Sequence, residues 1–303
     1  MYNTEMDKFL VVSKPFADLR KEPIAPRSDF SHDDIEETQL LYNESLIYRD
    51  EKNGWYYVEA MEQKKLSPDN TWQGYPGWVE KKNVKIVDRL TPYNLIVKNK
   101  VATIFHHAGK GVTPLFVVSA GTNFMEKNII SKQKDYRYIE LADGNNGWIK
   151  KEDVQKKSLS PSKEKIRESI VKIAMPFLGL PYLWGGRSTI TGLDCSGLTN
   201  LAYRINNIDI PRNASDQKRA AQKISHTLLE RADLIFVSAE GSHDTIAHVM
   251  LYLGKDTFIE ASETGYVVRI NTFKDKFGLT LSQLSKEDFV AGKRKIYFGA
   301  VIS

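Results

Sequence analysis

The sequence predicts an α+β chain: a β-rich first half, then a second half in which helices come first and strands after. Three observations predict it. Gly77-Trp78-Val79-Glu80-Lys81-Lys82-Asn83-Val84 recurs as Gly147-Trp148-Ile149-Lys150-Lys151-Glu152-Asp153-Val154, 70 positions later. Ile166, Ile170, Ile173, Ala174 and Phe177 fall at the spacing of one helix face. From Ala232 onward, short β-branched and aromatic runs alternate with turn residues.

In chain order, Phe9–Ser13, Gln39–Tyr42, Ser45–Tyr48, Trp55–Ala60 and Gly77–Val79 read as strands, punctuated by Asn53-Gly54 and Ser67-Pro68-Asp69-Asn70. This is the spacing of a small barrel. Val12-Ser13-Lys14-Pro15-Phe16-Ala17 is echoed by Val97-Lys98-Asn99-Lys100-Val101-Ala102, so a second barrel is expected after the first. Gln155 to Ser162 is polar and holds a proline, which suits a linker. Ser160-Pro161 then supplies a helix cap with proline at the first helical position. Gly179 and Pro181 end the helix and lead into Leu180–Leu198, which holds the chain's only cysteine. After the cysteine helix, Ala232–Ser238, His248–Leu253, Phe258–Ala261 and Tyr266–Ile270 read as an antiparallel sheet, with Gly254-Lys255-Asp256 as a tight turn. The expected domains are 1–88 and 89–155 for the two barrels, 156–162 for the linker, and 163–303 for the last domain.

A length of 303 residues suits two or three domains, and 41% hydrophobic with 27% charged residues is the composition of a globular protein. The net charge of +5 is spread along the chain with no dense basic run, so no nucleic-acid partner is expected. One cysteine excludes an intramolecular disulfide and any CxxC zinc site; neither metal nor cofactor is expected. The start of the sequence lacks a basic stretch followed by an apolar run, and no stretch approaches about 18 apolar residues. Cytoplasmic location without membrane insertion is therefore the expectation, ahead of cell-wall association.

The chemistry centres on Cys195. It follows a loop containing Gly185, Gly186 and Gly192, is preceded by Asp194, and opens a helical pattern of Leu198, Leu201, Ala202 and Ile205. A sulfur in the first turn of a helix meets the positive end of the dipole, which favours thiolate. Thiol catalysis also needs a base. Of six histidines, His248 stands out, because it opens a hydrophobic strand after the flexible Glu240-Gly241-Ser242-His243-Asp244 turn.

Taken together, PYLWGG, GLDCSGL, ADLIFV, AHVMLYLG and FIEAS resemble the ordered motifs of NlpC-type papain-like cysteine peptidases of the bacterial cell wall, over roughly residues 165–302. The Gly-Trp endings resemble bacterial SH3-like barrels, and two such modules ahead of the peptidase domain are similar to γ-D-glutamyl-L-diamino acid endopeptidases. The resemblance implies Cys195 as nucleophile, His248 as base, and Glu260 where the family commonly has a histidine that orients the imidazole. It implies Tyr182 beside the oxyanion. Asp194, Ser196, Trp184, Arg212 and Ser215 would bind substrate, with Asn213 replacing an acidic residue. Glu44 and Tyr75 of the first barrel would wall off the N-terminal side of the pocket, restricting the enzyme to peptidoglycan stem peptides with a free L-Ala. The implied reaction is hydrolysis of the γ-D-Glu to diamino acid bond, by a monomer. Two other functions stay open: a cell-wall peptide-binding protein with little or no turnover, and an acyl transferase using the same thiol.

Overall fold

The computed structural model describes residues 8–26, 32–109, 111–129, 133–157, 162–284, 290–291 and 293–302. Their contacts divide the chain into two units: Met1–Lys157 with Arg187–Ile190, and Ser158–Gly186 with Thr191–Ser303.

The first unit is built twice on one plan. Strands β1 (Phe9–Val12), β2 (Phe16–Arg20), β3 (Glu36–Leu41), β4 (Ser45–Lys52), β5 (Trp55–Leu66), β6 (Trp72–Glu80) and β7 (Val84–Val87) pair in the order β3-β2-β6-β5-β4-β1-β7. Strands β8 (Leu95–Val97), β9 (Val101–Phe105), β10 (Pro114–Ser119), β11 (Asn123–Glu126), β12 (Tyr136–Glu140), β13 (Asn146–Lys150) and β14 (Val154–Lys156) pair in the order β10-β9-β13-β12-β11-β8-β14. The second order is the first with seven added to each strand number.

The Gly-Trp repeat does the same job in both. Trp78 packs on its cross-strand neighbour Tyr57 with ring centroids 5.2 Å apart, and Trp148 packs on Tyr138 at 4.9 Å. A Cβ at Gly77 would stand 2.7 Å from Leu19 Cγ, and one at Gly147 would stand 3.0 Å from Ile104 Cγ2, so glycine lets β6 and β13 lie close on their neighbours. A single 3₁₀ turn follows each, Lys81–Asn83 and Lys151–Asp153. Its last carbonyl accepts the N–H of Ser13 in one module and of Lys98 in the other, both at 2.9 Å, which is why those two segments echo each other in sequence. Leu10, Leu19, Leu40, Leu46, Val58 and Val79 fill the first core, and Leu95, Val97, Ile104, Phe124, Ile139 and Ile149 fill the second. The strand β15 (Arg187–Ser188) belongs to this unit as well.

The second unit is helix first and sheet after. Helix α1 (Lys163–Ala174) buries Ile166, Ile170, Val171 and Ala174, and Phe177 just beyond it is also fully buried. Ser160-Pro161, the expected cap, lies outside the described residues; Ser162 is the N-cap of α1. After β16 (Gly192–Leu193) comes α2 (Cys195–Ile205), every residue of which is buried, then α3 (Ala214–Ala220) and β17 (Gln222–Ile224). β18 (Leu234–Ala239), β19 (Ser242–Gly254), β20 (Thr257–Glu260), β21 (Arg269–Thr272), α4 (Phe273–Phe277), β22 (Val290–Ala291) and β23 (Arg294–Ala300) complete it. The sheet runs β17-β23-β18-β19-β20-β21, antiparallel throughout, with β22 on β23.

Two local expectations are corrected. Glu240–Asp244 is not a long flexible turn: with Gly241 at φ +73°, the chain reverses at once and Ser242 already pairs with Ala239. His248 therefore sits in the middle of a 13-residue strand instead of opening one. The last expected strand, Tyr266–Ile270, begins only at Arg269, since Val267 is engaged in an isolated bridge to Pro181. At the other turn, Lys255 and Asp256 both have positive φ, 51° and 61°, the twist that joins two antiparallel strands tightly. No helix among the described residues is long and apolar enough to cross a membrane.

Candidate active site

Cys195 is the first residue of α2, and Asp194 is its N-cap, with Oδ1 accepting the Gly197 N–H at 2.6 Å. The glycine loop lies directly on this helix start. Asp194 N–H donates to the Gly186 carbonyl at 3.0 Å, and a Cβ on Gly197 would stand 2.2 Å from that same oxygen. Only glycine at 197 lets the loop backbone rest on the first helical turn and fix the cysteine beside it.

The backbone N–H groups of Val249 and Ser196 face the sulfur. Val249 follows His248 on β19, so the strand delivers both a hydrogen bond to the thiol and the imidazole next to it in sequence. Burial nevertheless pushes the Cys195 thiol up to about 12, with the Asp194 charge adding to it, against the N–H groups and Arg212. The helix start is therefore not enough to hold a thiolate in the resting protein, as the sequence alone suggests it would; desolvation wins.

His248 and Glu260 lie on adjacent strands, where Leu251 faces Ile259 and Tyr252 faces Phe258. The two-residue period of a strand puts His248 on one face with Met250 and Tyr252, and Glu260 on that face with Phe258. Met250, Tyr252 and Phe258 belong to the core, so ring and carboxylate sit at its edge with 7% and 0% exposure. His248 Nε2 and Glu260 Oε2 are 2.9 Å apart. Burial alone would raise the Glu260 carboxyl, but the His248 hydrogen bond and the Lys276 charge outweigh it and hold the group well below the usual carboxylate range. An ionised carboxylate only accepts, so Nε2 carries the ring proton and Nδ1 is the basic nitrogen. Burial pushes His248 below its ordinary value, and Lys276 and Arg294 push the same way against Glu260. Burial thus favours the neutral form of both the Cys195 thiol and the His248 ring.

Arg212, 1% exposed, closes a second cluster around the N-cap of α2. Its Nη2 lies 2.6 Å from Asp194 Oδ2, and its Nη1 lies 3.1 Å from Asp194 Oδ1 and 2.7 Å from Ser196 Oγ. The Ser196 hydroxyl donates back to Asp194 Oδ1 at 3.1 Å. Three of the residues assigned to substrate thus form one preassembled group around the N-cap. Ser215 Oγ accepts the Ile246 N–H at 3.3 Å, pinning α3 to β19 two residues before His248, and Asn213 is the N-cap of α3. Burial raises the Tyr182 phenol well above its ordinary range, and negative charge at Cys195 or Asp194 would raise it further. Trp184 is 41% exposed.

Glu44 and Tyr75 lie in the first unit. The Glu44 carboxylate is buried between Arg187 Nη1 and Gln63 Nε2, the latter at 2.9 Å. Tyr75 is a core side chain, 2% exposed, whose hydroxyl donates to Glu37 and whose ring lies under Lys65 Nζ at 4.3 Å. The sequence reading misses three groups on Glu260: Lys276, Arg269 and Asn271. Arg269 and Asn271 are two apart on β21 and so share a face, a signal that appears only once that strand is bounded correctly.

Residues 179–281 match the NlpC/P60 family. The gamma-D-glutamyl-L-lysine dipeptidyl-peptidase of Bacillus subtilis is 27% identical over 245 residues, covering 80% of this chain and 78% of that protein. Dipeptidyl-peptidase 6 of Lysinibacillus sphaericus is 24% identical over 257 residues, 82% and 88% of the two chains. The crystal structure of an NlpC/P60 family protein from Bacillus cereus superposes with a TM-score of 0.75 over 88% of this chain and 94% of that one, at 24% identity, and shares its fold.

Proposed function

From the premise that the chain carries an NlpC/P60 cysteine peptidase domain, we propose that it hydrolyses the γ-D-Glu to diamino acid bond of peptidoglycan stem peptides with a free N-terminal L-Ala. The observation that carries this is the arrangement around α2: a cysteine at the helix start, a buried histidine on the strand that hydrogen-bonds the thiol, and a carboxylate 2.9 Å from that histidine. The names of the B. subtilis and L. sphaericus relatives, which describe dipeptidyl-peptidases, support the choice of bond and the dipeptide product.

In this reading the Cys195 sulfur attacks the γ-carbonyl of D-Glu while its proton passes to His248 Nδ1. Glu260 holds the resulting imidazolium. The oxyanion accepts from the Cys195 N–H and the Tyr182 hydroxyl, each worth on the order of 3 kcal/mol. The imidazolium then protonates the leaving amine, and water, deprotonated by the same ring, cleaves the thioester to release L-Ala-γ-D-Glu. Asp194, Ser196 and Arg212 present the polar surface that receives the L-Ala end, with Trp184 and Ser215 flanking it.

The test is incubation with L-Ala-γ-D-Glu-meso-diaminopimelate and with its L-Lys analogue, following the dipeptide by mass spectrometry. Release by wild type and none by Cys195→Ala is the expected result. Equal release by both sinks the proposal.

A further inference from the structure

Orienting an imidazole takes one hydrogen bond, yet Glu260 receives four. On Oε2 stand His248 Nε2 at 2.9 Å and Lys276 Nζ at 2.6 Å; on Oε1 stand Asn271 Nδ2 at 3.2 Å and Arg269 Nε at 3.3 Å. The carboxylate has no solvent exposure, while the side chains of Lys276 and Arg269 keep 22% and 39% of theirs. Solvated cations thus reach inward to a fully buried anion.

Each is placed by the fold. Arg269 is the register partner of Glu260 across β20 and β21, and Asn271 is two residues along the same face. Lys276 is on α4, whose first residue Phe273 is buried in the core and whose N-cap Thr272 accepts the Asp275 N–H.

The charge count gives these contacts a consequence. A buried carboxylate with only a histidine for counter-ion would favour the imidazolium, and an imidazolium is no base. Here one cation shares the very oxygen that holds the ring and another sits on the second oxygen. The groups bearing on His248 are Glu260 from β20, Lys276 from α4 and Arg294 from β23, with Arg269 from β21 bonded to the Glu260 carboxylate. Glu260 favours ring protonation; Lys276 and Arg294 oppose it.

We propose that Lys276, seconded by Arg269, is a positioning residue that cancels the charge of Glu260, so that the carboxylate orients His248 as a neutral acceptor would and leaves the ring able to take the Cys195 proton. This rests on Cys195, His248 and Glu260 as the catalytic set, but its test needs no substrate. In a Cys195→Ala background, where no thiol couples to the ring, the His248 titration is followed by NMR of its ring protons. Lys276→Met, which keeps the aliphatic stem, is expected to raise the midpoint by about one pH unit. Lys276→Arg leaves it near the parent's. Glu260→Gln lowers it, and the Lys276→Met/Glu260→Gln pair returns it towards the parent. An unchanged midpoint in Lys276→Met, with a folded NMR spectrum, overturns the proposal, as does an equal rise in Lys276→Arg. With the thiol present, the acid limb of kcat/KM moves to higher pH in Lys276→Met. A rise in the His248 midpoint in a protein that releases no dipeptide sustains this inference while removing the peptide substrate proposed above.

Discussion

Glu44 and Arg187, 143 positions apart, form an ion pair inside the first unit with 1% and 0% of their surfaces exposed. Arg187 belongs to the loop between Tyr182 and Cys195, so a side chain from the stretch that leads to the nucleophile is anchored in a β-module's buried polar network. Gln39 Oε1 reinforces the anchor by accepting the N–H groups of Arg187 and Ser188 at 3.3 and 3.2 Å, and Thr189 N–H donates to Ser119 Oγ at 2.9 Å. Removing one partner of such a pair strands the other charge away from water, at a cost of about 3–5 kcal/mol. Arg187→Met is therefore expected to lower the unfolding free energy measured in urea by that much, whereas Arg187→Met with Glu44→Leu recovers much of the loss. Equal destabilisation by the single and double variants would contradict the pairing.

Arg212 and Asp194 make the corresponding pair at the start of α2. Asp194 also caps α2 through the Gly197 N–H, so Asp194→Ala removes a cap worth about 1 kcal/mol and takes the carboxylate away from the buried Arg212 guanidinium. We expect Asp194→Ala to be the most destabilising change in the cluster and Asp194→Asn milder, because the amide oxygen still caps. Ser196→Ala loses one neutral acceptor for Arg212 and should cost about 1 kcal/mol. A thermal or urea series over these three variants checks the order.

What could be read in the sequence follows from the range of the interactions. The Gly-Trp repeat was legible because two modules with the same strand order need the same close approach at Gly77 and Gly147 and the same tryptophan-on-tyrosine packing. Cys195 was legible because Leu198, Leu201, Ala202 and Ile205 carry the helical period in the eleven residues that follow the loop, all of them buried. The mid-strand place of His248 was not, because a glycine turn of minimal length cannot be told from a flexible loop by composition. Nor were the partners of Glu260. Arg269, Asn271 and Lys276 are polar residues of the sort found on any surface, and only the β20–β21 register and the start of α4 turn them inward. The Glu44–Arg187 pair lies beyond local pattern altogether.

The protonation of the site sets its pH dependence. His248 can serve as base only when neutral, and burial holds its midpoint below the ordinary 6.5. The rising limb of kcat/KM is expected below that value, with activity lost as pH falls through the folded midpoint. Cys195, pushed up to about 12, should contribute no limb between pH 7 and 9. Stability moves in the same direction. His248 is depressed in the folded state, so the unfolded chain binds more protons below 6.5 and stability is lost there as pH drops. Glu260 is depressed too; its contribution is complete above the unfolded value of 4.5 and is lost as pH drops below it. Urea midpoints at pH 7, 5.5 and 4 should decline in wild type. A flat wild-type series is the outcome that contradicts these assignments.

Tyr182 offers the sharpest separation of roles. Its N–H donates to the Tyr266 carbonyl at 2.9 Å and its backbone bridges Leu193, so the main chain, not the hydroxyl, holds the ring in place. Tyr182→Phe should keep the fold and the binding surface while removing one donor to the oxyanion. A donor used only as negative charge develops on the carbonyl oxygen appears in kcat and not in KM. The expected result is a fall in kcat of about 10²–10³ with KM within a few-fold of wild type and an unchanged melting temperature. If kcat holds and KM rises instead, the phenol binds substrate in its ground state, and the oxyanion is left to the Cys195 N–H and to a second donor elsewhere.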